Sequence, residues 1–134
     1  MSTDYRSLIP TLSYRNQAFI NGKHVPAASG KTFDCVSPID GKVLTRVAEC
    51  DSEDVNRAVA AARAAFEKGS WSTCHPAKRK KTLLKFADLI AKHKDELALL
   101  ETLDMGKPIS VSAGGDIPGS IQCIQWYAEA ADKV

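Results

Sequence analysis

Four cysteines are the residues best suited to chemistry in this sequence, because a thiolate attacks carbonyl carbons and binds metal ions. They are Cys35, Cys50, Cys74 and Cys123. Their spacing contains no Cys-x-x-Cys pair, and no pair of histidines stands at a matching distance. The pattern therefore indicates neither a zinc site nor a disulfide framework. We interpret the four residues as reduced, half-buried thiols.

A basic run, Lys-Arg-Lys-Lys at positions 78–81, is the next candidate. It has the composition of a phosphate-binding patch, but its helix carries Leu and Ala on the other side, so a solvated face is the favoured interpretation. In the whole sequence, 18 basic and 16 acidic residues leave a net charge of +2. That charge is too small to attract nucleic acid or a membrane surface, and we expect no partner of either kind.

The elements that must position these residues change in type along the 134 residues. Residues 1–17 have neither strand nor helix periodicity, which predicts a flexible arm. Residues 18–48 predict two β-hairpins, with Asn21-Gly22 in the first turn and Pro-Ile-Asp-Gly at 38–41 in the second. The sequence shows no secretory signal and no apolar stretch of bilayer length, which predicts a cytoplasmic protein.

Four helices are predicted between residues 52 and 133, where the apolar period becomes 3.6. Asp51 is the expected N-cap of the first and Gly69 its end, while Pro76 starts the second and Gly106 ends the third. The fourth begins near residues 116–118. Nine side chains are expected to face inward: Phe19, Val47, Val59, Phe66, Leu84, Ile90, Leu100, Ile121 and Ile124.

These elements lack a surface to pack on. Each helix has an apolar stripe that needs burial, and two hairpins make little sheet. We therefore expect the helices to pack on a sheet encoded elsewhere. The apolar repeat of the fourth helix continues to the last residue without a stop signal, which predicts the first part of a longer protein. The alternative is a helical interaction module that exists as a separate polypeptide.

Several blocks of the sequence resemble the opening of the NAD(P)-dependent aldehyde dehydrogenase superfamily in order and spacing. The longest is Asp-Glu-Leu-Ala-Leu-Leu-Glu-Thr-Leu-Asp-Met-Gly-Lys-Pro at 95–108. Others are Phe-Ile-Asn-Gly at 19–22, Ser-Pro-Ile-Asp-Gly-Lys-Val-Leu at 37–44 and Asp-Val-Asn-Arg-Ala-Val-Ala-Ala-Ala-Arg at 54–63. The last segments, Asp-Ile-Pro-Gly at 116–119 and Trp-Tyr-Ala-Glu-Ala-Ala-Asp-Lys-Val at 126–134, are most similar to γ-glutamyl-γ-aminobutyraldehyde dehydrogenases of putrescine breakdown.

The resemblance implies an α/β fold in which residues 18–134 are an incomplete N-terminal part of a Rossmann-like NAD-binding domain. The longer protein of which this chain would be a part, here called the parent, would oxidise an aldehyde to the carboxylic acid with NAD or NADP. The aldehyde would be an amino-aldehyde of putrescine breakdown. The parent would also form a homo-oligomer. No segment of this sequence corresponds to the family's catalytic Cys and Glu motifs or to its nicotinamide-binding strands. The resemblance therefore implies that the chain alone has no catalytic residue, no bound cofactor and no activity. We expect the isolated chain to self-associate.

The resemblance also implies two sites within the chain. A monovalent cation would be held by backbone carbonyls of Cys35 and Val36 and by the Asp104 carboxylate, oxygen ligands that suit a hard cation. The alternative is that Asp104 only helps to end its helix or binds water. At the mouth of the substrate tunnel, Asp116 would attract an ammonium group and Gly119 would leave space. The alternative role of Asp116 is the N-cap of the fourth helix.

Overall fold

The computed structural model describes residues 3–133, and these form two compact units. The first unit comprises Tyr14–Ser37 and Gly41–Thr73; the second comprises the described residues up to Ser13, Pro38–Asp40 and the described residues from Cys74 onward. The elements in chain order are α1 (Tyr5–Leu8), β1 (Ala18–Ile20), β2 (Lys23–Val25), β3 (Thr32–Val36), β4 (Val43–Ala48), α2 (Ser52–Lys68), α3 (Pro76–Lys92), α4 (Lys94–Met105), α5 (Ile109–Val111) and α6 (Ile117–Ala130).

Two antiparallel hairpins form the β-structure of the first unit, and both were predicted. The turn between β1 and β2 holds Asn21 and Gly22 at φ angles of 50° and 75°, the conformation that this dipeptide tolerates. Strand β3 pairs with β4, with an irregularity in register between Cys35 and Val36. Both sheets among the described residues are two-stranded and antiparallel, so the Rossmann-like part of the expected fold stays a prediction.

Helix α2 begins and ends where the sequence predicts. The Asp51 carboxylate accepts a hydrogen bond from the backbone N–H of Glu53, and the Asp54 carboxylate accepts one from the backbone N–H of Asp51. This reciprocal capping box satisfies donors that the first turn of a helix leaves unpaired. Gly69 follows the last residue as the C-cap.

Two apolar faces of α2 have different surroundings. The face of small side chains, including Ala58 and Ala61, lies beside the first hairpin. The face of large side chains is exposed: Val55 is 57% exposed, Val59 58% and Phe66 65%. Ala58 and Ala61 are half-buried, whereas the larger apolar stripe of α2 is left uncovered by the described residues of the first unit.

The expected core is wrong at three of nine positions. The exposed residues are Phe19, Val59 and Phe66. The other six are half-buried: Val47, Leu84, Ile90, Leu100, Ile121 and Ile124. Periodicity identifies the apolar side of an element, but burial also requires a partner on that side, and the described part of the first unit supplies none for the stripe on α2.

The second unit is helical, and α3 packs along α6. Ala87 on α3 and Ala128 on α6 are fully buried. Lys80 of α3 donates to the carboxylates of Glu129 (2.7 Å) and Asp132 (3.3 Å) in ion pairs at the surface. None of the helices in the described part of the chain combines the length and apolar character needed to span a bilayer.

The residues before β1 contain helical turns that the sequence does not predict. Helix α1 is followed by a 3-10 turn at Ile9–Thr11, and the Tyr5 hydroxyl donates to the carboxylate of Asp95 at 2.8 Å. Met1, Ser2 and Val134 lie outside the described residues. The flexibility of an arm over 1–17 and its division from a domain over 18–134 stay predictions.

Candidate functional site

A π-helical segment, Ser112–Asp116, joins α5 to α6 and places Asp116 inside a continuous helical run. Asp116 has helical backbone angles (φ −68°, ψ −49°), and its side chain makes no capping hydrogen bond. The N-cap alternative for Asp116 is therefore wrong, because the helical run has already begun at Ile109. Segments of this kind inside longer helices are frequent at functional sites.

Lys107 is the partner of Asp116. Its ammonium group lies 2.5 Å from Asp116 Oδ2 and 3.2 Å from Glu101 Oε1. The Asp116 carboxylate, followed by that of Glu101, holds the pKa of Lys107 above its ordinary value. One cation between two carboxylates leaves this trio, which we call the Lys107 cluster, with a formal charge of −1.

The backbone on both sides of Lys107 is fixed. Gly106 ends α4 in the left-handed region (φ 73°), and its N–H donates to the carbonyl of Thr102. A Cβ atom at Gly106 would lie 3.1 Å from the ring of Pro38, so both backbone conformation and close approach favour glycine. The π-helical segment is anchored by Ser112, which is fully buried and accepts from the Thr102 hydroxyl at 3.4 Å.

Gly119 lies three residues after Asp116, so the two share one face of the helix. Gly119 is exposed, and a Cβ atom added to it would meet no described atom within 4 Å. At Gly119 the described residues therefore leave room for a larger side chain. The use of this space by a substrate stays a prediction.

The three residues expected to hold a cation lie in different units. Cys35 and Val36 stand at the irregular end of β3 in the first unit, and Asp104 stands in the last turn of α4 in the second. No metal-binding group of three or more His, Cys, Asp or Glu side chains occurs in residues 3–133. A site built largely from backbone carbonyls is of another kind, so the cation site stays a prediction.

The cysteines differ in exposure. The four cysteines form no disulfide with one another in the described part of the chain; Cys35 and Cys74 are half-buried, whereas Cys50 and Cys123 are exposed. The interpretation as half-buried thiols is therefore wrong for two of them. Cys123 lies on α6, where the aromatic side chains of Trp126 and Tyr127 are also exposed.

Sequence reasoning missed the buried carboxylate of Asp54. This side chain is 2% exposed and accepts hydrogen bonds from the backbone N–H of Ala28 at 2.9 and 3.2 Å. Arg57 Nη1 lies 3.4 Å from the same carboxylate. An acidic residue three positions after the N-cap is the signal of a capping box, but the bond to Ala28 depends on the tertiary fold.

Comparison with known proteins identifies the family. The sequence matches the model of the aldehyde dehydrogenase family over residues 24–134. The chain belongs to the aldehyde dehydrogenase family. The NADP/NAD-dependent aldehyde dehydrogenase PuuC of Escherichia coli (strain K12) is 52% identical over 124 residues, which are 92% of this chain and 25% of that protein.

Solved structures of this family share the fold of the chain. The γ-glutamyl-γ-aminobutyraldehyde dehydrogenase of Burkholderia cenocepacia J2315 aligns with a TM-score of 0.95 and 52% identity, over 98% of this chain and 27% of that one. The indole-3-acetaldehyde dehydrogenase AldA of P. syringae, a C302A mutant in complex with NAD+ and IAA, gives 0.95 and 53%, over 98% and 26%. The chain thus spans about a quarter of the length of these relatives.

Proposed function

We propose that this chain is the N-terminal portion of an aldehyde dehydrogenase that oxidises an aldehyde to the carboxylic acid with NAD or NADP. The observation that carries the proposal is the match to aldehyde dehydrogenases over nearly the whole chain, at a TM-score of 0.95 and about half identity. The cytoplasmic location and the homo-oligomeric parent expected from the sequence belong to the same proposal.

The chain alone is inactive in this proposal. Aldehyde oxidation through a covalent intermediate needs a thiolate nucleophile, donors for the oxyanion and a general base. By resemblance these groups belong to the part of the family that the chain does not cover. The described residues also do not fit a dinucleotide: both sheets are antiparallel hairpins, whereas the pyrophosphate site needs a strand, a glycine-rich loop and a helix.

For the substrate we propose an ω-amino or γ-glutamylated aliphatic aldehyde, as in putrescine breakdown. Asp116 offers a carboxylate beside the open space at Gly119, and one relative of known structure is named for such an aldehyde. Another, with the same TM-score and 53% identity, is named for an uncharged aromatic aldehyde. Overall similarity does not separate the two classes, so the separation must be measured.

The proposed cation site uses the carbonyls of Cys35 and Val36 and the carboxylate of Asp104. Oxygen ligands of this type suit a hard cation such as Na⁺ or K⁺. In this proposal the cation has a structural role, since no reacting group of the family is implied beside it.

The test uses a joined protein, in which residues 1–134 replace the matching segment of the E. coli relative. We expect NADH or NADPH formation with an amino-aldehyde from the joined protein and none from the chain alone. Asp116→Ala should raise KM for the amino-aldehyde several-fold more than KM for an uncharged aldehyde of equal length. Aldehyde-dependent reduction of NAD by the pure chain would overturn the proposal; equal effects on both substrates would remove Asp116 from it.

The alternative function is an interaction module that pairs with full-length subunits. The exposed stripe of α2 (Val55, Val59 and Phe66) favours it, because apolar patches of this kind mark association surfaces. Mixing the chain with the full-length E. coli relative separates the two: a module would lower its activity in proportion to the chain added.

A further inference from the structure

The Lys107 cluster contains the carboxylate that the proposed function assigns to substrate binding, and that carboxylate is already paired. Lys107 Nζ contacts only one of its oxygens, Oδ2, at 2.5 Å. Among the described residues, Oδ1 of Asp116 has no hydrogen-bond partner. A substrate ammonium that approached Oδ1 would therefore meet the charges of both Asp116 and Lys107.

The pairing is held by the fold rather than by two long side chains in solvent. Lys107 follows the left-handed Gly106, whose backbone lies against Pro38. Asp116 ends a π-helical segment whose first residue, Ser112, is fully buried and bonded to Thr102 of α4. Charge-assisted hydrogen bonds are stronger than neutral ones, and the two side chains are only 31% and 36% exposed, which favours a persistent pair.

Glu101 increases the negative charge beside Asp116, whereas Lys107 reduces it. It takes a share of the same ammonium group at 3.2 Å, and it adds a second negative charge. With both carboxylates present the cluster attracts a cation weakly; without Lys107 it would attract one strongly, and without Glu101 it would be neutral. The three residues thus set the charge at this helix face by their balance.

We propose that Lys107 is a positioning residue that sets the charge preference of the substrate entrance, by holding Asp116 in place and offsetting its charge. The inference rests on the proposed function, because it requires Asp116 to lie beside the incoming aldehyde. It assigns to this chain a moderate preference for amino-aldehydes over uncharged ones, with the degree fixed by Lys107 and Glu101.

The test compares kcat/KM for an ω-amino aldehyde with kcat/KM for an uncharged aldehyde of equal length, in the joined protein. Lys107→Met should raise this ratio about tenfold, which equals about 1.4 kcal/mol, through KM rather than kcat. Lys107→Arg should leave the ratio near that of the parent, and Glu101→Gln should lower it. A merely structural role of Lys107 would reduce kcat/KM for both substrates alike.

The outcomes separate this inference from the proposed function. If Asp116→Ala lowers the ratio but Lys107→Met and Glu101→Gln leave it unchanged, the role of Lys107 is overturned and that of Asp116 stands. If none of the variants changes the ratio, both roles are overturned. If Lys107→Met does not fold, Glu101→Gln decides the test. A ratio that rises or stays unchanged in the Glu101→Gln variant would then overturn the inference.

Discussion

Helices α2 and α3 are both 17 residues long and both amphipathic, yet the stripe of α3 that contains Leu84 and Ile90 is half-buried, whereas the larger apolar stripe of α2 is exposed. Helix α6 lies along α3 and covers Ala87. On α2 the covered face is alanine-rich, and the larger stripe through Val59 and Phe66 is exposed. An apolar stripe therefore identifies the side of a helix that is suited to packing, and only the packed structure shows whether that side is covered within the same unit.

The largest expected effect is on the stability of α2, when the Asp54 carboxylate that bonds this helix to Ala28 is removed. Asp54→Ala leaves the backbone N–H groups of Ala28 and Asp51 without their acceptor. Hydrogen bonds to a charged group contribute about 1.5–3 kcal/mol each, and water can partly replace the acceptor because Ala28 and Asp51 are exposed, so we expect opening of α2 to become easier by about 2 kcal/mol. Amide hydrogen exchange of α2 in the joined protein measures it. The exposed neighbour change Glu53→Ala is the matched control; equal protection in both variants would contradict the prediction.

The next effect concerns the uncovered stripe. The chain alone should self-associate, since exposed apolar patches drive association. Val59→Lys should lower the oligomeric fraction several-fold in sedimentation velocity. Ala60→Lys, an equally exposed position one residue away on another face, should not. A monodisperse, cooperatively melting wild-type chain would instead favour the interaction-module alternative.

The smallest effect concerns the ion pairs that cover one end of α3. The hydrogen bond to Glu129 holds the pKa of Lys80 above its ordinary 10.5, against a smaller opposing effect of desolvation and with help from Asp132. Lys80, followed by Lys133, holds the pKa of Glu129 below its ordinary 4.5. The contribution of Glu129 is present above pH 4.5 and lost as pH falls through its lowered pKa. That of Lys80 is present below pH 10.5 and lost as pH rises through its raised pKa.

The protection of backbone amides against hydrogen exchange in the last turn of α6 should therefore be constant between about pH 5 and 10 and should fall outside that window. Glu129→Gln should weaken the loss of protection at acid pH, which hydrogen exchange as a function of pH would detect; the remainder is expected from Asp132, whose pKa is also lowered. Glu49→Gln, at an exposed position in the first unit, is the control. An unchanged acid limb in the Glu129→Gln variant would assign it to other groups.

Local signals in the sequence predicted the elements well. Asn21-Gly22, Asp51 and Gly106 each act within a few residues, through backbone angles and capping hydrogen bonds. The two hairpins and the four long helices follow from them. Turns at Tyr5–Leu8 were missed because a four-residue helix is too short to show a period.

Features that depend on distant residues were not predictable in the same way. The exposure of Phe66 depends on what lies over α2, and the cap assigned to Asp116 was wrong because the helical run starts earlier, at Ile109. The contact of Lys107 with Asp116 spans nine residues across a helix end and a π-helical segment, so neither a period nor a cap rule contains it. The family, in contrast, was recognisable from the sequence and is confirmed.

The Asp54 carboxylate also implies an order of events in folding. Its bond to the N–H of Asp51 closes a loop of three residues, whereas its bonds to Ala28 close one of 26. Short loops lose less chain entropy on closure and form within nanoseconds to microseconds. We therefore expect the start of α2 to be assembled first and the segment after the first hairpin to dock onto a carboxylate already held in place.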